Sequence, residues 1–321
     1  MNQLKDKVIN GRNIKHSTWK SYLTNIKQLL TKFNDGEYKN NKFLHNRKDL
    51  KEYLATLKPA KQRMVISTIL VLLSPCGKNQ PENEDKSLYH FYTSLLATRM
   101  DDYFNEQQEQ LANPKQLSNW RSWEDILGVQ RRLMNTIRRD KYNVKNTLTQ
   151  DESKKLQEYL VLSLYTLIPP RRLDYSTMTI VDAKTYRDMN EKEKNACNYL
   201  VCQSRVKKYF SFGEDSQKNK TFYYTKVPPK LNQILNLYLK HHNHCFLLVN
   251  SRGGQLSKDG LSKQLMRVLE KDGKRLSVNM LRHIYLSDKF KDAPSIKERQ
   301  LLALEMGHSS TIAEHVYTKK N

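Results

Sequence analysis

The chain has 321 residues, 38% of them hydrophobic, and sets 56 Lys and Arg against 33 Asp and Glu, a formal net charge of +23. That length suffices for two domains, and such an excess of cations points to a polyanionic partner, because Lys and Arg seated on phosphates release condensed counterions. The longest apolar run, Met64 to Leu73, is about half the roughly 20 residues of a spanning helix. With four cysteines, Cys76, Cys197, Cys202 and Cys245, and a polar stretch from Met1 to Lys20, the sequence argues against a membrane span, a secretory leader and a disulfide scaffold. It predicts a soluble, intracellular protein.

The first elements are helical. Trp19, Tyr22, Leu23, Ile26, Leu29, Leu30 and Phe33 recur at helical spacing behind Ser17, and Asn34-Asp35-Gly36 ends that helix. A second helix buries Leu50, Tyr53, Leu54 and Leu57 and ends near Pro59. A third covers Lys61 to Leu73, and a fourth runs from Lys86 to about Phe104. Lys20, Lys27, Lys61 and Arg63 lie between the apolar stripes and are the candidate phosphate-gripping cations of this segment. The Gln- and Asn-rich stretch Asn105 to Ser118, with Pro114 inside it, is the predicted linker. It divides the chain into domains 1–110 and 111–321.

In the second segment, Thr149-Gln150-Asp151-Glu152 has the form of a capping box and opens a long helix to about Ile168. Val206, Lys208, Phe210 and Phe212 alternate with Lys207, Tyr209 and Ser211 at strand period, and Phe222 to Val227 has strand composition. The polar stretch Gly213 to Lys220 between them is the predicted hairpin tip. Pro228-Pro229 starts a helix carrying Leu231, Ile234, Leu235 and Tyr238. Three further helices follow, over Lys258 to Lys271, Val278 to Phe290 and Ile296 to Met306. The last is opened by Ser295 and Glu298 and closed by Gly307. The expected fold class is mainly α with a small antiparallel sheet: a helical domain, then an α+β domain.

Cutting a phosphodiester needs a nucleophile, cations on the non-bridging oxygens and an acid for the leaving oxygen. Arginine suits the clamp, because its planar fork matches phosphate oxygens and stays charged. The second segment offers such a set in a fixed order. Arg171 follows Pro169-Pro170, with Asp174 three residues on. Leu281-Arg282-His283 sits inside a helix. Gly307-His308 follows, and Tyr317 comes nine residues after His308.

This order and spacing resembles the catalytic domain of tyrosine recombinases, from about Asn119 onward, and the helical first segment is similar in pattern to that family's core-binding domain. The Pro169-Pro170-Arg171-Arg172 form of the first box is similar to recombinases of large DNA viruses and their satellites. The resemblance implies that Arg171 and Arg282 clamp the scissile phosphate, that Asp174 orients Arg171 and that His308 hydrogen-bonds a phosphate oxygen. It implies that Tyr317 forms a 3′-phosphotyrosyl link and that a hairpin lysine, Lys218 or its rival Lys220, protonates the departing 5′-hydroxyl. Arg172 is expected on the DNA, and His283 as a supporting residue of the site. It further implies double-stranded DNA gripped between two domains, a homo-tetramer exchanging strands, and no cofactor. One position departs: Asn279 stands where the family carries His or Lys three residues before the second arginine. Asparagine hydrogen-bonds but does not shuttle a proton. Four residues follow Tyr317, little of the tail by which relatives dock into a neighbouring subunit.

Two other readings stay open beside it: a type IB topoisomerase, which shares the nucleophile logic, and a non-catalytic DNA-binding protein, which Asn279 favours. His241, His242, His244 and Cys245 lack the paired spacing of a zinc site and read as a polar helix end. No Gly-Lys-Ser/Thr follows Gly253-Gly254, so no phosphate loop for ATP is expected.

Overall fold

The computed structural model describes residues 2–77, 81, 85–217, 221–292, 294–307, 309 and 312–319, with the side chain of residue 315 left out. The chain divides into two compact units, Met1–Glu109 and Gln110–Asn321.

The first unit is helical: α1 (Asn2–Arg12), α2 (His16–Phe33), α3 (Arg47–Ala55), α4 (Pro59–Leu73) and α5 (Lys86–Gln108). Its core gathers one stripe from each helix, including Val8, Ile26, Leu29, Leu50, Ile66, Ile69 and Tyr92. α4 is apolar on nearly every side and is the buried centre. The Arg12 guanidinium closes its end, donating to the Ser74 carbonyl at 2.8 Å and the Leu70 carbonyl at 3.1 Å, which satisfies acceptors that a helix C-terminus leaves open. α1 was not foreseen, since its apolar face is only Leu4 and Val8.

The second unit carries α6 (Pro114–Asn119), α7 (Trp123–Arg139) and α8 (Gln150–Thr166), followed by β1 (Met178–Asp182), α9 (Ala183–Asp188) and α10 (Glu191–Ala196). Then come β2 (Asn198–Cys202), β3 (Lys208–Phe212), β4 (Tyr223–Lys226), α11 (Pro229–Lys240), α12 (Lys258–Val268), α13 (Val278–Lys289) and α14 (Ile296–Glu305). α8 packs against α7, α11 and α12 and opens with the Thr149/Glu152 capping box read from the sequence. The expected linker is partly structured: α5 runs on to Gln108, and α6 has its own capping box between Asn113 and Gln116.

The sheet order is β1-β2-β3-β4. Its last two pairings are antiparallel, as expected, but β1 pairs parallel with β2, so the sheet is mixed. A parallel neighbour needs a crossover rather than a hairpin, and α9 and α10 supply it. Alternation in β3 puts Lys208 on the inner face with Phe210 and Phe212. Its ammonium is met there by the Asn232 and Asn236 side-chain oxygens, at 3.1 and 2.5 Å. Val206, read as part of that strand, is exposed outside it.

Candidate active site

The end of α14 gathers Arg171, Arg172 and Arg282. Ser295 and Glu298 form the capping box that starts the helix. At its other end Gly307 takes φ +71°, and a Cβ there would lie 2.8 Å from the Arg171 guanidinium, so only glycine fits both the turn and the close approach. The last carbonyls of a helix lack internal partners and carry the negative end of its dipole. Three consecutive ones are taken by three arginines: Arg171 on Glu305 at 2.7 Å, Arg282 on Met306 at 3.2 Å and Arg172 on Gly307 at 3.2 Å.

Arg171 is 2% exposed, and each of its three nitrogens makes a hydrogen bond. The Pro169-Pro170 break after α8 delivers it, and a short 3-10 turn from Asp174 returns that carboxylate to its Nε at 3.1 Å. Its Nη2 donates to the Gln217 side-chain oxygen at 2.7 Å, and its guanidinium lies 3.9 Å from the Phe212 ring centre. Gln217 is in turn held by Asn198, whose oxygen also accepts the Gly213 N–H and whose amide donates to the Asp174 carbonyl. The strand-linking segment beyond β3 is thus tied to Arg171 through Gln217. Lys218 and Lys220, the candidate acids, lie outside the described residues, as does His308.

Arg282 differs. It emerges from the buried face of α13, a helix capped by Ser277, and is 0% exposed. Only its Nη1 has an acceptor; Nε and Nη2 are buried with no hydrogen-bond partner among the described residues. Burial pulls its pKa down to about 10, with Arg172 and Arg171 adding to the shift and Tyr317 and Asp174 opposing it. The guanidinium sits 4.6 Å from the Tyr317 ring centre.

Tyr317 closes a single π-helical turn, Ala313–Tyr317. It is 7% exposed and packs into the core, with the His283 ring centre 4.8 Å away. His283 is buried and holds the Tyr317 backbone carbonyl through Nδ1 at 2.9 Å. Burial drives its pKa down to about 4, helped by the positive charges of Lys319 and Arg282 and opposed by the hydrogen bond to Tyr317. The next residues run along α13, where the Lys319 N–H donates to Ser287.

The structure therefore brings together Arg171, Arg172, Asp174, Arg282, His283 and Tyr317. Arg172, expected on the DNA surface, is half-buried inside the cluster. Asn279 is exposed on the first turn of α13. In the first unit, Lys20 and Lys27 are exposed, Lys61 donates to Asn25 at 2.6 Å, and Arg63 stacks on Tyr103 at 4.2 Å. Sequence reasoning missed Gln217 and Asn198, which read as ordinary loop and strand-edge polar residues.

A cavity of about 740 Å³ lies apart from this cluster, among residues including Gln157, His241, His242, His244 and Arg267. Ring nitrogens of His241 and His242 are already engaged with the Tyr142 and Phe246 carbonyls. Among the described residues no group of His, Cys, Asp or Glu is placed to hold a metal ion, and no helix is long and apolar enough to cross a membrane.

No protein-family model matches the chain, and no curated protein matches it by sequence. Solved structures do match. A lambda integrase (75–356) dimer bound to a COC′ core site aligns over 100% of this chain and 98% of its own, with a TM-score of 0.51 and 13% identity. The XerA recombinase aligns over 100% and 94%, with a TM-score of 0.40 and 13% identity. Full coverage by lambda integrase, together with a mainly helical body around a four-stranded mixed sheet, shows that this chain has the tyrosine-recombinase fold.

Proposed function

We propose that the protein is a DNA recombinase or integrase that cuts and rejoins strands through a phosphotyrosine at Tyr317. The observation that carries this reading is the convergence on the end of α14. Guanidiniums from two places in the chain, Arg171-Arg172 and Arg282, sit on three successive carbonyls, and the one beside Tyr317 keeps two buried nitrogens, Nε and Nη2, with no acceptor among the described residues. Buried cationic donors are costly unless paired, and a phosphate's non-bridging oxygens are the acceptors their fork fits.

In the reaction, the Tyr317 oxygen attacks phosphorus and the bond to the 5′ oxygen breaks. That oxygen takes a proton from the hairpin lysine, Lys218 or Lys220, and leaves as a 5′-hydroxyl. Arg171 and Arg282 stabilise the charge on the phosphorane oxygens, as fixed donors do for developing anions, and His308 adds a hydrogen bond. Asn279 cannot take the phenolic proton, so His308 or water receives it. Attack by a new 5′-hydroxyl reverses each step, and the phosphotyrosine conserves the bond energy. The exposed lysines of the first unit, Lys20 and Lys27, hold the duplex by its backbone, in keeping with the net charge of +23. Four copies exchanging strands during integration of a mobile or viral genome is the assembly this chemistry would serve.

Suicide DNA substrates, nicked beside the cut site so that religation fails, test the reading. The wild-type protein forms a covalent adduct that mass spectrometry locates at Tyr317, and Tyr317→Phe, which keeps the ring against Arg282, forms none. DNA retardation without an adduct in the wild type would instead mark a non-catalytic binder, the reading that exposed Asn279 favours. Sustained relaxation by monomers without junction products would mark a topoisomerase.

A further inference from the structure

The tyrosine-bearing turn is held from an unexpected direction. Gln110, the first residue of the second unit, takes the left-handed conformation at φ +57°, which non-glycine residues seldom adopt. Its side-chain amide donates to the Glu314 backbone carbonyl at 2.8 Å. Six residues on, Gln116 meets His283, with Nε2 to Nε2 at 3.3 Å. The capping box of α6 fixes which way the Gln116 amide points. Its oxygen already accepts the Asn113 N–H at 2.9 Å, so the NH2 group faces the imidazole. An NH2 group only donates, hence His283 Nε2 accepts, and a neutral imidazole then carries its proton on Nδ1. That proton is the one given to the Tyr317 carbonyl at 2.9 Å.

We propose that Gln110–Asn119 is a positioning strap that sets the Tyr317-bearing turn by two backbone carbonyls, Gln110 acting on Glu314 and Gln116 acting through His283 on Tyr317. The proposal rests on the reading of Tyr317 as nucleophile. The charged groups facing His283 support the neutral relay: Arg282 on its own helix and Lys319 from the C-terminal segment both disfavour an imidazolium, and burial disfavours it more. A charged ring would donate from both nitrogens and turn the Gln116 contact into donor against donor. Neither glutamine touches the reacting atoms; both are positioning residues.

Two measurements on the full chain decide it. Without DNA, imidazole nitrogen resonances should show His283 neutral and protonated on Nδ1 down to about pH 5. Gln116→Glu keeps an acceptor for the Asn113 N–H, since glutamate serves a capping box as well as glutamine. It turns a carboxylate oxygen to the ring, so His283 should become protonated on both nitrogens near neutral pH, and the Tyr317 ring resonances should shift. With suicide DNA, Gln110→Ala and Gln116→Ala should each slow adduct formation roughly fivefold, as for one lost hydrogen bond, with DNA retardation unchanged. An Nε2-protonated His283 in the wild type, unmoved Tyr317 resonances in all three variants, or wild-type adduct rates in both alanine variants would overturn the strap. A wild type with normal resonances and no adduct would sink the catalytic reading alone, leaving the strap to be judged on the resonances.

Discussion

The surroundings of Arg171 and Arg282 are built on opposite plans, although both guanidiniums lie on the end of α14. Around Arg171 the nitrogens are spoken for: Asp174, the Glu305 carbonyl and Gln217 take the hydrogen bonds, and Phe212 lies against the ring plane. Around Arg282 there is one carbonyl, two nitrogens unmet among the described residues and a tyrosine ring. A satisfied buried cation belongs to the fold, because its partners would be stranded without it. An unsatisfied one is retained at a cost to the fold, which points to a ligand that completes it. The comparison separates an arginine whose bonds also build the site from one held ready in it.

Stability should divide the two most sharply. Arg171→Met strands the Asp174 carboxylate and the Gln217–Asn198 network, and breaking a buried pair by removing one partner costs about 3–5 kcal/mol. Urea unfolding should show a loss of that order. Arg282→Met removes a cation that leaves no carboxylate behind and puts apolar bulk where two nitrogens were unmet, so the unfolding midpoint should hold or rise. Cleavage should behave the other way for Arg282. Loss of a fixed donor to the transition state costs about 10²–10³ in rate, so adduct formation by Arg282→Met should fall at least a hundredfold in a protein that is still folded. If Arg282→Met unfolds the chain as readily as Arg171→Met, the two plans are one.

The Arg282 side also predicts a pH response. His283 is held near 4 in the fold against an ordinary value of 6.5. Above pH 6.5 the ring is neutral in both folded and unfolded chains and favours neither. As pH falls from 6.5 toward 4 the unfolded chain binds the proton that the folded one resists, so stability is lost across that window, by up to ~3 kcal/mol at its lower end. Urea midpoints of the wild type and His283→Asn between pH 7 and 4.5 should converge as the acid side is approached. A constant gap between them would mean that the ring titrates normally in the fold.

The sequence carried the residues of this comparison but not their wiring. Helices α8 and α14 were legible because capping boxes and apolar periodicity agree at their starts, and Pro169-Pro170 and Gly307 mark where they stop. The order from Arg171 to Tyr317 gave the candidate site. What stayed hidden rests on backbone atoms and register. Carbonyls of Glu305, Met306 and Gly307 have no sequence signature, so their gathering of Arg172 into the cluster could not be read. β1 and β2 are five residues each, and a parallel pair leaves no turn motif between its strands, so the sheet was expected to be antiparallel throughout. The Asn113/Gln116 capping box was readable in principle, yet it lay in a stretch whose composition reads as linker.

The smallest effects belong to the first unit, where the contrast is with cations that nothing fixes. Lys20 and Lys27 are exposed on α2, while Lys61 and Arg63 are drawn toward Asn25 and Tyr103. An exposed lysine on a phosphate adds a screened, sequence-independent increment, and removing it takes about one unit from the slope of log affinity against log salt. Lys20→Ala and Lys27→Ala should therefore each flatten that slope by about one and weaken binding alike on any duplex. Lys61→Ala should do less to the slope and more to folding, because the Asn25 side chain it holds is buried. Equal slopes for all three variants and the wild type would place the DNA grip somewhere other than the face of α2, while leaving the arginine cluster of the second unit untouched.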